Sequence, residues 1–121
     1  MATIPYTITA LSPEAANRNL FLVTWANLGN GDVGQALDLG AYHERSAQVS
    51  GTFGAGGSVR LEGSLLGTTY AALHDSAGVA LDQTAAGIAT IRDLSRYTRP
   101  RVTAGDGTTA LTVSVLAKLG R

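Results

Sequence analysis

Apolar and polar residues alternate most clearly between Gln48 and Gly63. Ala47, Val49, Gly51 and Phe53 share one parity. Beyond the loop Gly54-Ala55-Gly56-Gly57, Val59, Leu61 and Gly63 share another, with Arg60 and Glu62 between them. Period-two alternation is the mark of half-buried strands, and a Gly/Ala loop supplies the positive φ angles of a tight reversal, so this segment predicts a β-hairpin. No catalytic group lies near it.

Weaker versions of the same pattern run along the rest of the chain. Ile4, Tyr6, Ile8 and Ala10 predict a first strand that begins at Pro5 or lies on an edge, because proline donates no ladder hydrogen bond. Ser12 to Asn19 reads as a polar connection, or as one helical turn with Ser12 as N-cap and Pro13 in the first position. Leu20 to Trp25 is a second strand with Phe21, Val23 and Trp25 on one face. Trp25 is the sole tryptophan and the natural core anchor. Asn27 to Gly34 holds the reversal signal Asn30-Gly31, and Gln35 to Leu39 suits a short strand. After a turn at Gly67-Thr68-Thr69, Tyr70–Leu73 and Val79–Leu81 flank HDSAG as a small hairpin. Between Ala85 and Leu94, Ile88, Ile91 and Leu94 recur every third residue, which leaves a short helical turn and an extended segment both open. Tyr97 to Thr103 places Arg99 and Arg101 on one face and Val102 on the other, with Pro100 marking an edge or a bulge. Leu111, Val113, Val115 and Ala117 close the sheet.

Eight or nine short strands with turn signals about every ten residues predict a sandwich or small barrel. The expectation is an all-β, single-domain antiparallel β-sandwich over residues 1–121. Residues 1–19 form the N-terminal strand and connection, residues 20–117 form the core, and helix is limited to one or two turns. Its core should contain Phe21, Val23, Trp25, Val49, Phe53, Val59, Leu61, Val102, Leu111, Val113 and Val115.

Composition narrows the function. A chain of 121 residues buries about two thirds of its unfolded surface without covalent help. Nine basic residues balance nine acidic ones, which argues against nonspecific nucleic-acid binding. Cysteine is absent, which excludes disulfides and thiolate chemistry and fits folding in a reducing cytoplasm. Met1 to Ser12 is threonine-rich and broken by Pro5, unlike a signal peptide, and no apolar run suggests a membrane span.

The candidate chemistry is sparse. His43 and His74 fall in separate expected turns, show no metal-ligand spacing, and read as solvated turn residues. GxSxG is absent, Gly54–Gly57 lacks a phosphate-loop ending, and DxDxDG is missing. Asp32, Asp38, Glu44, Glu62, Asp75, Asp82, Asp93 and Asp106 read as turn and polar-face residues rather than a catalytic pair. The expectation is therefore no catalytic, cofactor or metal site, and no enzyme. Arg92, Arg96, Arg99 and Arg101 are the one concentration of charge. Arg99 and Arg101 project together, suited to a partner's carboxylates or to pairing within the sheet. Leu65 and Leu66 stand where polar turn formers are usual. Alternation allows Leu65 into the core beside Leu61 but leaves Leu66 outside, as an ordinary surface leucine or an anchor for a neighbouring subunit.

The segments TWANLGNGDVG, RSAQVSGTFGAGGSVRLEGS and RYTRPRVTAGDGTTALTV, taken together from Leu20 to Ala117, resemble the small cement or decoration proteins of tailed-bacteriophage heads. That resemblance implies a jelly-roll-like sandwich, made in the host cytoplasm, that docks on the capsid exterior and stabilises it. It implies the major capsid protein as partner, self-association into a homo-oligomer, and no cofactor. Part of the pattern, a glycine-bounded strand, a serine turn and a later RY-x-R strand, is also similar to discoidin-like carbohydrate-binding domains. Their turn often reads S-x-D-G; here it is Ser64-Leu65-Leu66-Gly67, without the aspartate. With one Trp, four Tyr and two Phe, few aromatic residues remain beyond the core for a sugar platform, which favours the structural class.

Overall fold

A computed structural model describes residues 2–10, 20–40 and 42–119. It is all-β, with no helix among the described residues. The strands are β1 (Thr3–Ile4), β2 (Thr7–Ala10), β3 (Leu20–Leu28), β4 (Val33–Gly34), β5 (Leu37–Asp38), β6 (Tyr42–Thr52), β7 (Ser58–Ser64), β8 (Ala71–Ala72), β9 (Asp82–Gln83), β10 (Gly87–Thr90), β11 (Tyr97–Ala104) and β12 (Ala110–Leu119). One sheet has the order β10-β6-β12-β3-β2; the other runs β1-β4-β11-β7-β8, with β5 also on β11 and β9 also on β7. All neighbours are antiparallel except β1 and β4.

The wrapping is that of a jelly roll. Late strands fill the centres of both sheets: β12 lies between β3 and β6, and β11 between the β4/β5 pair and β7. The core lies between the sheets, where Val23, Trp25, Leu28, Val49, Val59, Leu61, Val102, Leu111, Val113 and Val115 are buried. Leu37, Leu39, Leu73, Leu81 and Ile91 join them from short strands and loops. Phe53 is only partly buried against this core, and Phe21 makes an edge-to-face contact with Tyr42 at 5.8 Å. A register shift between Leu111 and Val113, opposite Asn27 at φ 60°, resets the parity of β3 so that both Trp25 and Leu28 face inward.

Several local expectations change. β6 and β7 do not form a hairpin. They belong to different sheets, and the glycine loop is an arch across the sandwich edge. Two strands with apolar faces satisfy the same alternation whether they pair side by side or face each other; here the neighbours of β6 are β12 and β10. The arch is stitched to the turn before β12. Asp106 accepts the Ala55 N–H at 2.8 Å, the Thr108 N–H at 2.8 Å and the Thr108 hydroxyl at 2.6 Å, while the Thr109 hydroxyl donates to Phe53 O at 2.8 Å. Gly54, at φ +74°, packs where a side chain would strike Asp106.

The first strand splits around Pro5 and Tyr6, with β1 at the edge of one sheet and β2 at the edge of the other. Gly87 to Thr90 is strand β10, so the helical alternative for Ala85–Leu94 fails: its backbone is drawn into the ladder with β6. The helical alternative at Ser12–Asn19 lies outside the described residues. The small hairpin around HDSAG forms, closed by the His74–Ala80 bridge, and bulges out of the strand beside β7. Pro100 is buried in an interior strand, not at an edge. It sits opposite the break between β4 and β5, where the Gln35 carbonyl accepts the Trp25 indole N–H at 3.0 Å instead of a ladder bond.

Two outcomes follow from this packing. A Cβ on Gly34 would lie 2.5 Å from Pro100 Cδ and 2.7 Å from Trp25 Cδ1, both in rigid rings. Gly34→Ala should therefore cost about 1–3 kcal/mol, visible as a lower midpoint in denaturant titration followed by Trp25 fluorescence. Hydrogen bonds from Thr108 first, then the Ala55 amide, hold the Asp106 carboxyl at about 2, below the ordinary 3.8. A depressed carboxylate contributes stability above its unfolded pKa and loses it as pH falls through the folded value. The melting-temperature gap between wild type and Asp106→Asn should be widest near neutrality and close between pH about 4 and about 2.

Candidate functional site

The Leu65–Leu66 turn is exposed yet braced on three sides. β7 ends at Ser64, whose hydroxyl accepts the N–H groups of Leu66 at 3.2 Å and Gly67 at 2.8 Å. Gly67 adopts φ +88° with its α-carbon against the Tyr97 ring, where an added Cβ would meet Tyr97 Cε2 at 3.1 Å. On the exit side, the Arg99 guanidinium lies 3.7 Å from the centroid of the Tyr70 ring. Leu65 is 69% exposed and Leu66 79%. The expected alternative of burying Leu65 beside Leu61 is not realised, because β7 stops at Ser64 and the chain bends before alternation can return Leu65 to the core.

Beside this turn an open cleft is lined by Leu65, Thr69, Ala71, Leu73, Asp93 and Leu94. Leu94 is itself exposed, and the alternation of the sequence gave no sign that it stands across a cleft from Leu65.

Arg99 and Arg101 share the outer face of β11, as expected, but their roles diverge. Arg99 Nε donates to Glu62 Oε1 at 2.7 Å across the β11–β7 pair, and the Glu62 side chain is only 3% exposed. Arg101 is exposed and lies opposite Arg60, which is taken by Asp82 at 2.9 Å. Arg101 sits four residues, about 13 Å, along β11 from Tyr97, the residue opposite Ser64. The structure thus brings Leu65, Leu66 and, through Tyr70, Arg99 together, and leaves Arg101 apart.

Other charged groups have structural partners. His74 Nδ1 is 2.7 Å from Asp93 Oδ2, so His74, while still partly exposed, ties the HDSAG hairpin to the 91–96 segment. That contact, ahead of the Arg92 charge, lowers the Asp93 pKa. His43 lies in β6 rather than in a turn. Arg45 is 3% exposed inside the sandwich, donating to Tyr42 O, Ser95 O, Ser95 Oγ and Thr98 Oγ1; burial lowers its pKa. Its parity with Ala47 and Val49 was the signal for this inward position. No cluster of three or more metal-ligating side chains occurs among the described residues.

This architecture defines a β-sandwich of jelly-roll type. No protein-family model matches the sequence, and no curated protein does. A solved structure shares the fold: the SPBc2 prophage-derived protein YomS aligns with a TM-score of 0.60 at 11% identity, over 81% of this chain and 93% of that one. Peruvianin-I, a cysteine peptidase from Thevetia peruviana latex, aligns at 0.48 and 15% identity over 95% and 63%. The K1 cleaved adhesin domain of Lys-gingipain from Porphyromonas gingivalis W83 aligns at 0.43 and 12% identity over 98% and 85%.

Removing either arginine separates their roles. Arg99→Ala strands a buried carboxylate and should cost about 3–5 kcal/mol, whereas Arg101→Ala should change stability by less than about 0.5 kcal/mol. Adding Glu62→Leu to Arg99→Ala should recover most of the loss in a chemical-denaturation series.

Proposed function

We propose that this chain is a structural protein of a bacteriophage particle that binds the outside of the assembled capsid, through the major capsid protein, and stabilises it. The observation that carries the reading is the apolar pair Leu65–Leu66 at a turn fixed by Ser64, Gly67 and the Arg99–Tyr70 stack. A rigid scaffold presenting leucines to solvent loses little conformational freedom on docking, and each buried leucine contributes about 1.5–3 kcal/mol at every copy. The resemblance of the sequence segments to capsid cement proteins, and the fold shared with a prophage-derived protein, support the same direction.

The aromatic side chains weigh against the carbohydrate-binding alternative. Tyr6 packs edge-to-face on Trp25 at 6.1 Å, Phe21 on Tyr42, Tyr70 under Arg99, and Tyr97 beside Gly67 and Arg96. Each of these rings packs on another group of the chain, and of them Phe21 and Tyr42 together line a small apolar pocket with Ile8, Val23 and Leu37.

Binding only to the assembled lattice stabilises it by mass action, so heads lacking the protein should rupture at lower temperature. Leu66→Asp should leave the melting temperature of the free protein nearly unchanged while losing a competition against wild type for places on particles. Equal occupancy in that competition would remove the turn from the interface. Absence of the protein from purified virions, with retention on a glycan resin, would replace this reading with the ligand-binding one.

A further inference from the structure

Among the described residues, strand β10 has a strand partner on one side only, at the edge of the five-stranded sheet. Its orientation follows from the ladder. Gly87 faces Val49, Ile88 faces Gln48, Ala89 faces Ala47 and Thr90 faces Ser46, and the next residue, Ile91, donates its N–H to Arg45 O at 3.0 Å. In an antiparallel pair, residues alternate between bonding inward and outward. Gly87, Ala89 and Ile91 therefore bond to β6, and Ile88 and Thr90 turn their N–H and C=O groups to the open side.

Exposed edges are ordinarily blunted by charge, proline, a bulge or extreme shortness. The edges of the other sheet show such devices, whereas β2, the opposite edge of this one, is a four-residue strand without charge or proline. β1 has two residues beside Pro5, and the β8/β9 edge is interrupted by the HDSAG excursion. β10 has none of the chemical ones: Gln83 to Ile91 contains no charged residue and no proline, and a Cβ added at Gly87 would meet nothing within 4 Å. Ile88 is 71% exposed, its side chain on the outer face beside Gln48.

We infer that the open edge of β10 pairs with β10 of a second copy of this chain, antiparallel about a two-fold axis through Ala89. A two-fold axis sets the residues that lie on it beside their own copies, so an uncharged segment there avoids like-charge repulsion. In this register Ile88 of each copy faces Thr90 of the other, and those residues carry the four free backbone groups per strand that complete two hydrogen-bonded pairs. Equal parity keeps Ile88 of both copies on the same outer face, diagonally adjacent, while the small Ala89 pair sits at the close-approach position. The outer face so extended carries Ser46, Gln48, Ser114, Leu116 and Leu22 rather than charges near the joint. The edge recognises extended backbone, and the self-complementary register makes the second copy its occupant independently of what the leucine turn binds.

Amide hydrogen exchange across a concentration series from about 10 µM to about 1 mM tests this directly, alongside sedimentation equilibrium. The Ile88 and Thr90 amides should gain protection as the dimer forms, while those of Ala89 and Ile91 are protected throughout. Thr90→Pro, which removes an outward N–H, and Ile88→Lys should each weaken dimerisation at least about tenfold without changing the circular dichroism spectrum. A wild type that stays monomeric over the range, or a dimer in which the two amides exchange freely, overturns the inference. So does a dimer weakened by Ile88→Lys but not by a folded Thr90→Pro, which would place the contact on the sheet face. Protection of both amides only when a different protein is added would assign the edge to that partner instead.

Discussion

Everything in this sandwich rests on the insertion of β12 between β3 and β6. Four of its side chains, Leu111, Val113, Val115 and Ala117, are wholly buried, and its partners on one side lie some ninety residues earlier in the chain, as with Ser114 and Thr24. Until that strand arrives, β3 and β6 belong to no common sheet and Trp25 has no complete wall to pack against. The loop-closure cost of so distant a pairing must be met before the burial reward is collected. A jelly roll is accordingly cooperative: its last strand is also the central one.

Around that constraint, polar groups are placed where they stabilise connections. Asp106 and Thr109 join the arch after β6 to the turn before β12, so the segment crossing between sheets is fixed to the strand that completes one of them. Arg45 brings a cation into the interior and spends it on the Ser95 and Tyr42 carbonyls and two hydroxyls, fastening the 91–96 segment across the sandwich. Glu62 and Arg99 form a second inward-drawn pair on the outer face of the other sheet, roofed by Tyr70. Arg45, Glu62 and Arg99 lie toward the end of the molecule from which the leucine turn projects, and the Asp106 bonds lie at the opposite end of β7.

The two outer faces differ in chemistry. The sheet containing β7 and β11 carries the Arg60–Asp82 and Arg99–Glu62 pairs, whereas the sheet containing β10 shows Ser, Thr, Gln and Leu, with the Glu44–Lys118 pair only toward one end. Stability of the chain does not require that asymmetry, since both faces lie outside the core. On the first face Arg60 and Arg99 are matched by their own carboxylates and Arg101 is left exposed, whereas the second face is uncharged around β10.

Alternation in the sequence was enough to establish strands over Leu20–Trp25, Ala47–Phe53, Val59–Gly63, Tyr97–Thr103 and Leu111–Ala117, and to orient Trp25, Val49, Leu61, Val102 and Val113 inward. Side-chain direction along a strand is a local property with period two, so a single chain displays it. It also left Leu66 outside and put Arg99 and Arg101 on one face. Pairing is not local. Whether Val49 and Val59 stand in one sheet or face each other across the core leaves the same alternation, and only the competition of β12 and β10 for the edges of β6 decided it. The fate of Arg99 was settled in the same way, because register alone set Glu62 opposite it and Arg60 opposite Arg101. Pro100 is tolerated in an interior strand because the neighbouring strand breaks at Gln35, a coincidence of two distant segments that neither encodes by itself. The sequence by itself determined which way each side chain faces; the tertiary structure decided what it faces, because strand partners are chosen by the burial of the whole assembly.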